Sequence, residues 1–241
     1  MTIAENLIEV EERISDSLRR SGRPSRAASL IAVSKTKPVS MILEAYRAGI
    51  RDFGENKVQE LMEKKAQLPS DIRWHMIGHL QRNKVKYLIG NAALIHSVDS
   101  LRLAEEISRE SVKKGVETDV LIEVNAAGEE SKFGVSPEEV LSLVTAVSEL
   151  PAVHIKGLMT IAPYTENPEE NRKYFSLLKQ LSVDITRKNV DNVSMSVLSM
   201  GMTNDYEVAV EEGATYVRVG TGIFGLRSLG SAVTDGPADS E

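Results

Sequence analysis

A chain of 241 residues, 41% hydrophobic and 27% charged, has the composition of a globular protein, and its length suits two ordinary domains or one barrel of alternating strands and helices. No apolar run approaches the roughly 18 residues of a membrane span, and the acidic start MTIAENLIEVEERI lacks the basic-then-apolar pattern of an export signal, so neither an anchor nor secretion is expected. The absence of cysteine excludes disulfides and thiolate metal sites and fits a reducing, cytoplasmic setting; a net charge of −6 gives no general attraction for nucleic acid, leaving small molecules or proteins as partners.

Ile3, Leu7, Val10, Ile14 and Leu18 recur at three- and four-residue steps and predict a helix ending near Gly22 and Pro24, ahead of every strand. Strand-like and helix-like segments then alternate. Strands are expected at Leu30 to Ser34, Ile50 to Phe53, Ile72 to Ile77 and Ala93 to Val98. Helices follow Pro38, span about 55 to 67 and 82 to 89, and run from a cap at Asp99 or Ser100 to about Lys114. In the second half, strands are expected at Asp119 to Asn125, Val153 to Met159, Val193 to Leu198 and Thr215 to Val219. Ser136, Pro137 and Glu139 read as the start of one intervening helix, and Asn167, Pro168 and Glu170 as the start of the next. A last helix is expected from about Asn204 to Glu212, with little helix after the eighth strand.

Eight strands with a helix between each neighbouring pair, and no composition break, predict a single (β/α)8 TIM-type barrel over residues 1–227. The extra N-terminal helix would fill the gap in the outer ring. An open doubly wound sheet is the main alternative. Residues 228–241, SLGSAVTDGPADSE, are small and polar and read as a mobile tail.

In IAVSKTKPVS, strand alternation puts Ile31, Val33 and Lys35 on one face; if that face is the barrel interior, the Lys35 ammonium points into the mouth where barrels do their chemistry. A partly desolvated lysine is a good amine nucleophile toward an aldehyde, whereas the ordinary reading of Lys35, and of Lys37, is a solvated cation. Ser199-Met200-Gly201-Met202-Thr203 leaves strand seven and Gly220-Thr221-Gly222 leaves strand eight, the two loops between which barrels commonly hold phosphate. Glycines there let backbone N–H groups approach the oxygens, and the hydroxyls of Ser199 and Thr221 can donate. A phosphate site facing an amine suggests a ligand with both a phosphate and an aldehyde, and pyridoxal 5′-phosphate fits. Arg218 would then lie beside the ring nitrogen, or else pair with a barrel carboxylate.

With those residues in view the chain resembles the pyridoxal phosphate homeostasis family (YggS/PROSC type), related in fold to the N-terminal barrel of alanine racemase. The matching stretches are AVSKTKP, DFGENKVQE, RWHMIGHLQRNK, IHSVDS, KFGV, GLMTIAP, LSMGMTNDYEVAVEEGAT and VRVGTGIFG, in order over residues 30 to 226. The resemblance implies a monomeric barrel with the cofactor in imine linkage to Lys35. It also implies phosphate held by Ser199, Thr221 and the adjacent backbone of Gly201, Gly220 and Gly222, Arg218 at the ring nitrogen, and Met159 and Met200 around the ring. Asn56 would reach the ring or its phenolic oxygen, or else cap the next helix. His79 at the mouth reads as a local hydrogen-bonding group, His75 as structural, and Lys132 as a solvated lysine unless its loop folds over the mouth. No metal is implied.

The function expected is a protein that buffers or delivers pyridoxal phosphate through reversible imine exchange at Lys35, with apo-enzymes as recipients. Two rivals remain: a racemase or decarboxylase using the same cofactor, and a barrel lyase or isomerase that uses Lys35 on a phosphorylated sugar. Racemisation needs a second proton donor, which alanine racemase takes from an additional β domain absent here.

Overall fold

Eight parallel strands close on themselves in sequence order in the computed structural model, which describes residues 1–129 and 131–225. They are β1 (Ser29–Val33), β2 (Asp52–Glu55), β3 (Arg73–Met76), β4 (Leu94–Val98), β5 (Thr118–Glu123), β6 (Val153–Met159), β7 (Val193–Met202) and β8 (Tyr216–Val219). Pairing of β1 with β8, Ile31 against Arg218 and Ala32 against Val219, completes the barrel and excludes the open sheet. The outer ring is α1 (Ile3–Arg20), α2 (Val39–Arg47), α3 (Val58–Lys65), α4 (Arg82–Leu88), α5 (Leu101–Lys114), α6 (Val140–Ser148), α7 (Arg172–Lys188) and α8 (Tyr206–Glu211), with a short α9 (Thr221–Phe224) after β8. The expected tail lies outside the described residues.

The strands read as near-continuous apolar runs because both faces are covered. Phe53, Trp74, Ile95, Val120, Leu158 and Val217 face outward into one core shared with the helices, while Leu94, Leu121 and Met159 pack separately on the inside. The N-terminal helix begins with a capping box between Thr2 and Glu5 and buries its whole apolar stripe. It packs between α8 and α2, the place expected for it. Asn6 Nδ2 also donates to the Ile223 carbonyl at 2.8 Å, tying α1 to α9.

Several boundaries differ for local reasons. β2 starts at Asp52 because the Ile50 N–H closes the end of α2 on the Ala45 carbonyl. Glu139 accepts from the Ser136 backbone and hydroxyl as expected, but the segment makes a separate turn and α6 begins at Val140. Pro168–Asn171 forms a 3-10 turn capped by Asn167 ahead of α7. β7 runs on to Met202 through Gly201, whose left-handed φ of 90° lets the strand end press against α8; a Cβ there would lie 2.5 Å from that of Ala209.

Candidate functional site

Ile31 and Val33 face the barrel interior, while the Ser34 hydroxyl turns outward and donates to Glu55 Oε1 at 2.6 Å; half-buried Lys35 follows as the first residue of the turn that leaves β1. Gly54 confirms which face is inner, since a Cβ on it would meet Ile31 and Ile77 at about 3 Å. The turn is held from behind by a buried cluster. Lys64 Nζ donates to the Ser34 carbonyl at 2.7 Å, to Glu55 Oε1 at 2.7 Å and to Glu60 Oε1 at 2.6 Å. Glu60 Oε1 in turn accepts the Thr36 N–H at 2.6 Å, and Thr36 takes a left-handed φ of 63°. Both neighbours of Lys35 are thus pinned. Burial pushes the Glu55 carboxyl above its ordinary pKa, against the hydrogen bonds from Lys64 and Ser34.

The phosphate-type cradle lies on the adjacent strand ends. Gly220 passes so close to β1 that a Cβ on it would sit 3.3 Å from Val33, and one on Gly222 would meet Val219 at 3.0 Å and Thr203 at 3.2 Å. The Gly220 N–H donates to Thr203 Oγ1 at 3.3 Å, and the Thr203 and Thr221 hydroxyls are 3.2 Å apart. Two hydroxyls and a glycine amide therefore converge beside the C-terminal end of β1. Lys37 braces the same corner, its Nζ donating to the carbonyls of Phe224 and Gly225. Thr203 was not singled out in the sequence, where it follows the Ser-Met-Gly-Met run; its hydroxyl joins the two loops only because β7 extends to Met202.

Two expected positions are corrected. Ser199 is fully buried, and its hydroxyl is engaged inside the barrel by His96 and Arg218, away from the glycine turns. Met200, the next residue, falls on the opposite face and packs in the core between strands and helices, so it does not line the mouth. Met159 does lie inside, against Leu94 and Leu121. Asn56 follows β2 and is partly buried; the N-cap position of α3 is Lys57, which makes no side-chain cap hydrogen bond, so the helix-cap reading of Asn56 does not hold.

Arg218 is 3% exposed, donating from Nη1 to Ser199 Oγ at 2.6 Å and from Nη2 to the Thr160 carbonyl at 2.8 Å. Burial pulls it down to about 10, against the attraction of Asp205 and Glu123, which leaves it charged at neutral pH. Beyond Ser199 a hydrogen-bonded chain continues down the barrel through His96 and His75 to Asp52, which Arg73 grips with two further bonds. Barrel interiors are ordinarily filled by branched apolar side chains. His75 was read as structural, and His96, Asp52 and Asp205 carried no signal in the sequence.

At the opposite rim, His79 stacks on Phe133 with ring centroids 3.7 Å apart and faces Asp99 at 3.5 Å. Lys132 reaches Glu129 and the Ala162 carbonyl, so it ties its loop to the one after β6. Glu123, ending β5, has its Oε2 buried with no hydrogen-bond partner among the described residues. Burial, then the charge of Asp99, push its carboxyl up to about 7, against the pull of Arg218. The folded chain therefore holds this proton to higher pH than the unfolded chain, and the associated stability is lost as pH rises toward and through 7. In the ligand-free protein Glu123→Gln is expected to change little near pH 5 and to add about 2 kcal/mol at about pH 8.5 in urea denaturation; equal effects at both pH values would refute this.

Among the described residues no three His, Cys, Asp or Glu side chains are grouped to hold a metal, and no helix is long and apolar enough to cross a membrane. The arrangement instead fits a phosphorylated aldehyde: a turn whose glycines let the backbone pass close to β1, two threonine hydroxyls beside it, the Lys35 amine at the end of the neighbouring strand, and the buried Arg218 guanidinium on β8.

A family model described as "Alanine racemase, N-terminal domain" matches residues 7–228. The chain is 49% identical to the pyridoxal phosphate homeostasis protein of Aquifex aeolicus, over 94% of this chain and 99% of that one. It is 40% identical to the protein of the same name from Pseudomonas aeruginosa, over 95% and 98%. The solved structure of PipY from Synechococcus elongatus with pyridoxal phosphate bound superposes with a TM-score of 0.80 at 36% identity, covering 93% of this chain and all of that one.

Proposed function

Because the chain belongs to the pyridoxal phosphate homeostasis family, built on the barrel of alanine racemase, we propose that it binds pyridoxal 5′-phosphate and buffers or delivers it rather than catalysing a reaction with it. The observation that carries this reading is the juxtaposition of Lys35 and the Gly220–Gly222 turn on adjacent strand ends of one barrel mouth. When bound, the cofactor supplies an aldehyde that condenses reversibly with a primary amine.

The chain's own residues do the rest. Thr203, Thr221 and the backbone of the Gly220–Gly222 turn would hold the phosphate. Lys35 offers the amine from a turn that cannot swing away, because Ser34 and Thr36 are fixed on either side of it. Arg218 presents a charged donor to the ring nitrogen; a guanidinium keeps its proton, so the nitrogen stays an acceptor and the ring is a weaker electron sink. Met159 on the inner face and Asn56 at the end of β2 would line the ring.

A racemase would need a proton donor on the ligand face opposite Lys35. Of the six tyrosines, Tyr164 alone sits in a mouth-side loop, and it is 86% exposed; Tyr216 begins β8, at the far end of the barrel. An open site of this kind suits exchange. We place the protein in the cytoplasm as a monomer over residues 1–227, with apo-enzymes that use pyridoxal phosphate as recipients.

Borohydride reduction of the full chain loaded with pyridoxal phosphate, followed by peptide mapping, tests the reading. The pyridoxyl mass is expected on the peptide containing Lys35. Its absence, or its appearance on Lys37 or Lys132 alone, would overturn the assignment.

A further inference from the structure

With Asp52 ionised, the hydrogen-bonded chain through the barrel has only one polarity that leaves both imidazoles neutral. Asp52 accepts from Arg73 at 2.7 and 2.5 Å, and its carboxylate holds its pKa below the ordinary range: burial opposes this, but the bonds from His75 and Arg73 prevail. An ionised Asp52 at 3.0 Å from His75 Nε2 requires a proton on that nitrogen. A neutral His75 then presents a bare Nδ1 to His96 Nε2 at 2.9 Å, which must be the donor. His96 is fully buried, and burial above all holds it well below the ordinary imidazole range and therefore neutral, so its Nδ1 is bare in turn. Across 2.9 Å the Ser199 hydroxyl donates to it, leaving the Ser199 oxygen to accept from Arg218 Nη1 at 2.6 Å. Each link has one proton. Reversed, the chain would need a cationic His75.

We propose that Asp52, His75 and His96 are positioning residues for ligand binding, orienting the Ser199 hydroxyl so that its oxygen accepts from Arg218 and fixes the guanidinium at the barrel mouth. None of the three needs to touch the ligand. The relay lets Asp52 and Arg73, at the N-terminal end of the barrel, set the geometry of a group at the other end, because each donated bond polarises the next. With Thr160 holding the second guanidinium nitrogen at 2.8 Å, the plane of Arg218 is fixed at two points. This rests on the reading of Arg218 as the donor to the ligand's ring nitrogen.

The first arm of the test needs no ligand. Two-bond proton–nitrogen spectra of the labelled full chain at pH 7 are expected to show His75 and His96 both neutral with the proton on Nε2. A proton on Nδ1 of either ring, or a cationic His75, would overturn the relay. The second arm measures affinity for pyridoxal phosphate by absorbance titration. His96→Leu is expected to weaken binding about tenfold, the size of one oriented charge-assisted hydrogen bond, and Ser199→Ala by a similar factor. The double variant is expected to be no worse than either alone, since the residues act as one unit. Unchanged affinity in His96→Leu, or losses that multiply in the double variant, would overturn the proposal. If the intact chain binds no pyridoxal phosphate, the function fails instead, and the tautomers decide the relay alone; they also decide it if a variant does not fold.

Discussion

Lys64→Met is expected to cost about 3–5 kcal/mol of stability at pH 7, because it leaves a buried carboxylate without its counter-charge. Lys64 is 6% exposed and Glu55 fully buried, with Nζ 2.7 Å from Oε1, and the second Glu55 oxygen has no hydrogen-bond partner among the described residues. Removing the cation therefore strands a charge rather than a surface pair. The loss should shrink as pH falls, since Glu55 is already displaced upward and can take a proton in place of its lost partner. Pairing the change with Glu55→Gln should recover much of the stability, as a neutral pair avoids the stranded charge. Urea denaturation at about pH 5 and 8 distinguishes the outcomes. A loss under about 1 kcal/mol, or one indifferent to pH, would mean that the cluster is solvated and that the turn at Lys35 is held some other way.

Gly157→Ala is expected to be at least as damaging, about 4 kcal/mol or more, from steric overlap alone. Gly157 sits where the register of β6 shifts against both neighbours. A Cβ on it would lie 1.7 Å from the Val197 carbonyl oxygen and 2.7 Å from its carbon, so backbone rather than a flexible side chain must give way. Any shift would propagate two residues along both strands, to Met159 and Ser199. Gly90→Ala is the comparison. Gly90 is also left-handed, with φ 79°, but nothing lies within 4 Å of its added Cβ, so about 1 kcal/mol is expected there. Similar melting temperatures for the two variants would show that β6 and β7 can separate at the bulge without penalty.

The architecture was legible because it follows from local patterns. The three- and four-residue spacing from Ile3 to Leu18 and the short β-branched runs separated by amphipathic segments specify α1 and eight strands without knowledge of contacts. Alternation likewise puts Ile31 and Val33 on one face from the sequence alone, and the barrel makes that face the inner one. The Gly220-Thr221-Gly222 turn was legible for a similar reason, since glycine marks a close backbone approach wherever the chain folds.

Alternation separates Ser199 from Met200 in β7. Ser199 and Met200 are neighbours and cannot both face one mouth; which of them turns inward depends on the register across two bulges, and register is a property of paired strands. What no single segment could disclose are the groups joined across the barrel: His75 with His96, Ser199 with Arg218, Lys64 with Glu55 and Ser34, and Thr203 with Gly220. Their sequence separations run from 9 to 30 residues. The barrel, and the positions of Lys35 and the Gly220-Thr221-Gly222 turn at strand ends, could be read from the chain alone, because propensity and periodicity act over a few residues. Which polar side chains meet follows from the folded barrel instead, because burial favours partners for most polar groups, and the partner is set by where distant strands lie side by side.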